Sequence, residues 1–377
     1  LENIGQTSLK IEKKINLALQ GGGSHGAFTW GVLDKLLEDG RIGIDGICAT
    51  SAGTMNACVL ASGLHNGGPE EARKRLHDFW KKISEVSKKP GPLTDAPWKQ
   101  FLPWEVSEKL SFFMLDSVTR LLSPYQLNPF DVNPLRTVLE EMVDFEELKN
   151  CDTKLFISAT HVHSGKVEVF SREDLSIDVA MASACLPFLF KAVSINGEDY
   201  WDGGYVGNPA LFPLFYATES SDLLVVHINP IERLKTPKTA FGIMDRINEI
   251  SFNASLLSEM RAVAFVKKLL EHDMLKDEYK SNFKDILIHS LRADDALIDL
   301  PMTSKFKTDW AFLEDLRDKG RAAMSAWLDE HFDDLGVRDT VDLHQEFLSS
   351  TTRIFHDRYG NTRHTEQPSD VPMTGAK

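Results

Sequence analysis

"INLALQGGGSHGAFTWGVL", residues 15–33, decides the fold. An apolar run meets three consecutive glycines, and beyond them Phe28, Val32, Leu33, Leu36 and Leu37 recur at helical spacing. "KINLALQ" (14–20) has the length and composition of a buried strand, and 25–40 the pattern of a helix stopped at Gly40. Gly21, Gly23 and Gly26 satisfy G-x-G-x-x-G, the spacing of a dinucleotide-binding turn. That use also asks for an acid at the end of the second strand. "IDGICAT" (44–50) carries Asp45 at its start and runs out into Ala49-Thr50-Ser51. The bend has a second use. Glycines let backbone N–H groups turn toward one point, and the following helix adds the positive end of its dipole. Such a pocket holds an oxyanion as readily as a phosphate. A glycine turn that serves only strand–helix packing is the third reading.

"CATSAGTMNA" (48–57) is a second strand–turn–helix unit. Ser51 stands at its tip, with Ala49 two before and Gly53 two after. This is G-x-S-x-G with its first glycine replaced by alanine. A nucleophile elbow needs small flanks because the serine is held in a strained turn. The plainer reading is a serine capping a helix. If the two strands are adjacent and parallel, both bends lie at one sheet edge, where ligands bind.

A serine nucleophile needs a base. The late histidines are His227, His272, His289, His331, His344, His356 and His364. None lies in a glycine-flanked loop. His227 falls inside an apolar strand and suits a core role, and the others have the setting of surface residues. "YWDGGY" (200–205) offers a carboxylate instead: Asp202 follows a strand and precedes Gly203 and Gly204. A carboxylate bonded to a serine hydroxyl accepts its proton when burial raises its basicity. An ordinary Asp-Gly turn is the alternative.

Three motifs in the order GGGxxG, xxSxG, DGG resemble those of the patatin-like phospholipase family, over roughly 15–230. "LALQGGGSHGAFTWGVL" is similar to the family's oxyanion block, "ATSAG" to its nucleophile block and "DGG" to its acid block. "AMASACLPFLF" (180–190) resembles the apolar segment that precedes the acid. The resemblance implies a Ser–Asp dyad without histidine: Ser51 as nucleophile, Asp202 as base, and an oxyanion hole from Gly21, Gly22, Gly23 and Ser24. His25, Gly26, Ala49, Gly53, Gly203 and Gly204 support the motifs. The chain departs from the pattern at Ala49, where glycine is usual, and at His25, where many relatives have Arg or Lys. The charge beside the oxyanion hole is therefore expected to depend on pH. The implied activity is a serine lipid acyl hydrolase (phospholipase, lysophospholipase or esterase) working through an acyl-enzyme, on a lipid or ester substrate. Two alternatives stay open: an inactive binding module on the same scaffold, kept in view by the altered elbow, and a dinucleotide-binding protein.

The predicted fold class is α/β, a mostly parallel central sheet covered by helices on both faces, with a mainly helical C-terminal extension. The expected organisation is a flexible N-terminus (1–14), a catalytic domain (15–235) with an aromatic-rich helical insertion at 69–134, the extension (236–357) and a disordered tail (358–377). Within it, 133–149 is predicted as one helix, with Asn133 as cap and Pro134 at its first position. "KLFISATHVHSGKVEVF" (154–170) is predicted as a hairpin turning at Ser164-Gly165, and 191–205 as a second turning at Asn196-Gly197. Residues 93–130 hold Trp98, Phe101, Trp104, Phe112, Phe113, Met114 and Tyr125. They suit transient contact with a membrane surface or simple packing on the core.

The composition of the 377 residues, 42% apolar and 26% charged, is that of a globular protein. A net charge of -14 argues against nucleic acid as a partner. The 4 cysteines form no C-x-x-C pair, so free thiols and a reducing compartment are expected. No apolar run is long enough to span a bilayer, and no charged-then-apolar leader opens the chain, although it begins at Leu1 rather than Met. The expected location is cytoplasmic, with peripheral attachment to a membrane left open. The sequence nominates no cofactor and no metal ligands.

Overall fold

The computed structural model describes residues 11–86, 122–233, 235–280, 283–297, 300 and 302–348. Its strands are β1 (Lys13–Leu19), β2 (Ile42–Ala49), β3 (Lys154–His161), β4 (Val167–Ser171), β5 (Val193–Ile195), β6 (Glu198–Asp202), β7 (Asp222–His227) and β8 (Leu287–Arg292). They form one eight-stranded sheet in the order β5-β6-β3-β2-β1-β7-β8, with β4 also paired to β3. The ladders from β3 through β2, β1 and β7 to β8 are parallel. The pairings of β4, β5 and β6 are antiparallel. Both predicted hairpins are present, and the second turns through Asn196 and Gly197 at φ 54° and 85°, values that an Asn-Gly pair adopts readily.

Successive strand residues point to opposite faces, and here both faces are buried. Ile15, Leu17 and Leu19 of β1 pack into one apolar cluster with Ile47, Leu155 and Val226. Ala18 and Cys48 point the other way, into a second cluster with Leu223, Val225 and Ile288. The first face is covered by α1 (Gly26–Asp39), by α2 (Ala52–Val86) and by α6 (Trp310–His331). The helical run of α2 is bent at Gly68, whose φ of 77° interrupts it. The second face is covered by α5 (Ala240–Glu271) through Leu256, Met260 and Val263. Residues beyond 236 thus supply an edge strand and a covering helix on each face.

Helices α1 and α6 cross at reciprocal glycines. A side chain at Gly31 would run into the Arg317 carbonyl, and one at Gly320 into the Phe28 carbonyl. Arg73 and Arg321 both pair with Asp34 and Glu38 of α1, joining α2 and α6 around it.

The segment predicted as one helix over 133–149 is two. α3 (Pro134–Met142) starts on the Asn133 side chain as expected, but Val143 is extended. Asp144 then caps a separate short helix, Phe145–Leu148, by accepting from the N–H groups of Glu146 and Glu147. An aspartate competes with the helix for backbone donors and so favours a new start. Upstream of β5, α4 (Ile177–Ser183) carries the apolar segment before the acid. The aromatics between 98 and 114, the first ten residues and the tail lie outside the described residues.

Candidate active site

Register brings the three motifs together. Leu19 at the end of β1 pairs with Ala49 at the end of β2. Ala49 pairs in turn with Ile157 of β3, and Ala159, two residues further along, pairs with Asp202 at the end of β6. The glycine bend, the serine and the carboxylate therefore meet at one edge of the sheet, where parallel strands present their carboxyl ends.

Ser51 occupies the turn between β2 and α2 at φ 53°, a conformation L-residues avoid at a cost of order 1–3 kcal/mol. Its N–H donates to Ser183 Oγ at 3.0 Å, and that hydroxyl also meets Thr54 Oγ1 at 2.8 Å. The flanks are tight: a Cβ on Gly21 would come within 2.6 Å of Ser51 Cβ. Ala49 is fully buried and Gly53 lies directly over the end of β1, so the alanine is accommodated without opening the turn.

Asp202 is fully buried. Its Oδ1 accepts the Gly204 N–H at 2.8 Å, its own N–H donates to the Cys185 carbonyl at 2.8 Å, and its carbonyl accepts from Thr160 Oγ1 at 2.7 Å. Burial pushes the carboxyl up to about 7, against smaller opposing effects of the Gly204 amide, the Ser51 hydroxyl and the Lys305 charge. The serine hydroxyl is thus close enough to favour the carboxylate. The contact falls short of a full hydrogen bond, because Oδ2 has no partner among the described residues.

The glycine bend differs from the expectation at its first residue. The Gly21 N–H is already taken by Asn208 Oδ1 at 2.7 Å, and its carbonyl accepts from Asn229 Nδ2 at 2.7 Å. Gly21 is therefore a packing and anchoring residue and not an oxyanion donor. The next three amides, of Gly22, Gly23 and Ser24, have no acceptor among the described residues. They precede the first turn of α1, whose amides carry the positive end of the helix dipole. Gly23 has φ 60° and lies against the Lys305 carbonyl, so only glycine fits there. Gly26 packs against Ala52, and Gly203 and Gly204 against Ser158 and Phe252.

His25 also departs from the expectation. It is buried, its Nε2 meets Ser304 Oγ at 2.7 Å, and its Nδ1 has no partner among the described residues. Burial, together with the Lys305 and Arg233 charges, drives it down to about 3. It is neutral throughout the physiological range, so no pH-dependent charge arises at that position. Lys305 is a cation near the bend, and its Nζ donates to Asn229 Oδ1 at 2.8 Å.

Sequence reasoning did not find Lys305, nor the buried amides that brace the bend. Gln20 Oε1 accepts the N–H groups of Ile228 and Asn229, and its Nε2 reaches Asn253 Oδ1. The available signals were an amide just before the glycines and "NP" pairs at 208–209 and 229–230. Lys305 had none, being far away in the chain.

The competing readings lose their residues. Asp45 lies mid-strand in β2, four residues before its end at the bend, and accepts the N–H groups of Glu219 and Ser220, so it does not serve a ribose at the bend. His227 is buried, as expected, and stacks near Phe347. His289 is no surface residue: it is fully buried in β8 and bonded to Asp222 at 2.9 Å. A cleft of about 590 Å³ lined by Asn66, Arg75 and residues 140–147 includes neither Ser51 nor Asp202. No helix among the described residues is long and apolar enough to cross a membrane.

No curated protein matches the sequence significantly. Among solved structures, the chain is similar to VipD from Legionella pneumophila, with 16% identity and a TM-score of 0.39 over 89% of this chain and 72% of that one. It is also similar to the type III effector protein ExoU, with 15% identity and a TM-score of 0.32 over 84% of this chain and 53% of that one. For the ExoU–SpcU complex from Pseudomonas aeruginosa, the identity is 17% and the TM-score 0.29, over 84% of this chain and 75% of that one. A family model described as Patatin-like phospholipase matches residues 17–217, more than half of the sequence, and the chain belongs to that family.

Proposed function

We propose that the protein is a lipid acyl hydrolase in which Ser51 is the nucleophile and Asp202 the general base. One observation carries the reading: a serine held at φ 53° beside a fully buried carboxylate with a pKa of about 7. That value places the base near the working pH, where general-base catalysis is most effective.

In this mechanism Ser51 Oγ attacks the ester carbonyl carbon while Asp202 Oδ2 takes the hydroxyl proton. The carbonyl oxygen becomes the tetrahedral oxyanion and is held by the amides of Gly22 and Gly23, with Ser24 beside them. Collapse breaks the bond to the leaving alkoxide, which takes the proton back from Asp202. Water then attacks the acyl-serine, again giving its proton to Asp202, and the fatty acid leaves as Ser51 is reprotonated.

The lipid preference is supported by an exposed apolar patch. Phe130, Val132 and Phe188 are 88%, 65% and 62% exposed. Their segments are tied together by bonds from Lys191 Nζ to the Pro129 carbonyl and from the Ala192 N–H to Tyr125 Oη. An amphipathic aromatic surface of this kind suits contact with a lipid interface.

The test is hydrolysis of a medium-chain p-nitrophenyl ester by wild type, Ser51→Ala and Asp202→Asn, with labelling of Ser51 by a fluorophosphonate. Turnover and labelling in the wild type alone are expected. Undiminished hydrolysis by folded Ser51→Ala would remove the assignment, and a wild type inert to both substrate and probe would favour a binding module.

A further inference from the structure

The two hairpin turns meet beyond the carboxyl end of β3, on the same side of the sheet as the catalytic bends but further out along β3 and β6, and they place an unused donor set there. His161 closes β3, and His163 follows two residues later in the turn to β4. Glu198 opens β6, which is antiparallel to β3 and bonded to it through Val162 N–H and the Asp199 carbonyl. His161 Nε2 and His163 Nδ1 both converge on the same carboxylate oxygen, Glu198 Oε2, at 2.8 and 3.2 Å. Among the described residues these three donor atoms lie within 4.8 Å of one another.

We propose that His161, His163 and Glu198 bind a first-row divalent transition metal, with zinc the foremost candidate. Two imidazoles and one carboxylate form a borderline set that suits zinc, copper(II) or nickel(II) rather than magnesium or calcium, which prefer all-oxygen shells. Zinc asks for ligand bonds of about 2.0–2.2 Å, and donor atoms within 4.8 Å of one another are close enough to share one ion. A second observation points the same way. His161 Nδ1 is bonded to Ser164 Oγ at 2.8 Å. Metal-ligating histidines usually engage an outer partner through their other nitrogen, which fixes the ring and the tautomer. Here that partner aims Nε2 at Glu198.

In the metal-free protein the two ring nitrogens face one carboxylate oxygen, so protons fill the space between them. A metal takes their place: each ligating nitrogen offers its lone pair, and each neutral ring keeps its single proton on the other nitrogen, which for His161 is Nδ1 beside Ser164 Oγ. The ion would tie β3 to the β5–β6 hairpin, at the start of the strand that ends in Asp202. Its role is structural, and the remaining coordination positions face solvent through the exposed His163 and Glu198.

The experiment is zinc titration of the full, tag-free chain by isothermal calorimetry in two buffers of different ionisation enthalpy, with cobalt(II) absorption as an independent readout. The expected result is one zinc per chain and a raised thermal midpoint. At least tenfold weaker binding is expected in His163→Ala and in Glu198→Gln, whose exposed side chains leave the fold intact. Ser51→Ala should bind as wild type does, which separates this site from the proposed catalytic one. A wild type that binds no zinc, or variants that bind it with unchanged stoichiometry and affinity, would overturn the proposal.

Discussion

The bends after β1 and β2 sit side by side at one sheet edge and solve opposite problems. The first must present backbone and nothing else. Gly21 leaves room for Ser51, and Gly23 takes φ 60°, so that the amides from Gly22 to Ser24 stay open at the start of α1. The second must present a side chain from almost the same backbone conformation, and Ser51 bears the strain at φ 53°. Glycine relieves strain where only N–H groups are wanted, and strain is tolerated where an oxygen nucleophile is wanted. The two bends are also held differently. The first is braced by buried amides of Gln20, Asn208 and Asn229. The second is held by hydroxyls, Ser183 on its N–H and Thr50 Oγ1 on the Gly207 carbonyl at 2.7 Å.

The comparison breaks most sharply if the second bend is made like the first. Ser51→Gly should lower ester turnover by on the order of 10⁴-fold or more. It should also raise stability by about 1 kcal/mol, seen as a higher thermal midpoint, because the positive φ no longer costs. Loss of activity without a gain in stability would mean that the elbow is not strained.

Asp202→Asn should lower kcat by roughly 10²–10⁴-fold. The pH dependence follows from the raised carboxyl. In wild type, kcat/KM should rise as the pH passes through about 7 and the base ionises. For stability the sign is opposite. The folded-state value lies above the unfolded one, so the folded protein binds the extra proton between pH ~4 and ~7, and stability falls as the pH rises across that window. The variant escapes this cost, so denaturation at pH 8 should find it more stable than wild type by roughly 1–4 kcal/mol, with the gap shrinking toward pH 4.

Gly23→Ala makes the first bend more like the second. A methyl group there meets the Lys305 carbonyl in a backbone conformation unsuited to it. With the amides of the proposed oxyanion hole displaced, kcat should fall by about 10²–10³-fold with little change in KM. A pure KM effect would show that the bend binds substrate without stabilising the transition state. Away from both bends, Gly320→Val forces α1 and α6 apart and should cost about 1–3 kcal/mol in denaturant unfolding. The smallest effect is expected from Lys305→Met. Removing that cation raises the Asp202 value, so the acidic limb of the rate profile should move upward by less than about one pH unit. A downward shift would show that the lysine does not act on the carboxylate.

Both bends were legible because each is local: a strand, a turn with particular residues and a helix within about twenty positions. The Asn-Gly hairpin and the Gly40 stop belong to the same class. The break at Val143 was missed because the apolar spacing continues across it and a capping aspartate looks like any surface acid. The pH-dependent charge assigned to His25 failed for a different reason. Its burial is made by Ser304 and Lys305, about 280 positions away, and no window along the chain contains them.

The sequence by itself determined what short-range sterics and periodicity can encode: a mostly parallel α/β sheet, two strand–turn–helix bends and a carboxylate followed by two glycines. Tertiary structure alone decided how those pieces behave. Register set Asp202 two residues beyond the level of Ala49, beside the turn that holds Ser51, and burial turned an ordinary acid into one with a pKa near neutrality. The packing also spent the Gly21 amide on Asn208, and folded the C-terminal part back to put a lysine beside the glycines. Protonation and hydrogen-bond occupancy depend on the whole surrounding volume, and that volume is filled by residues remote in the chain.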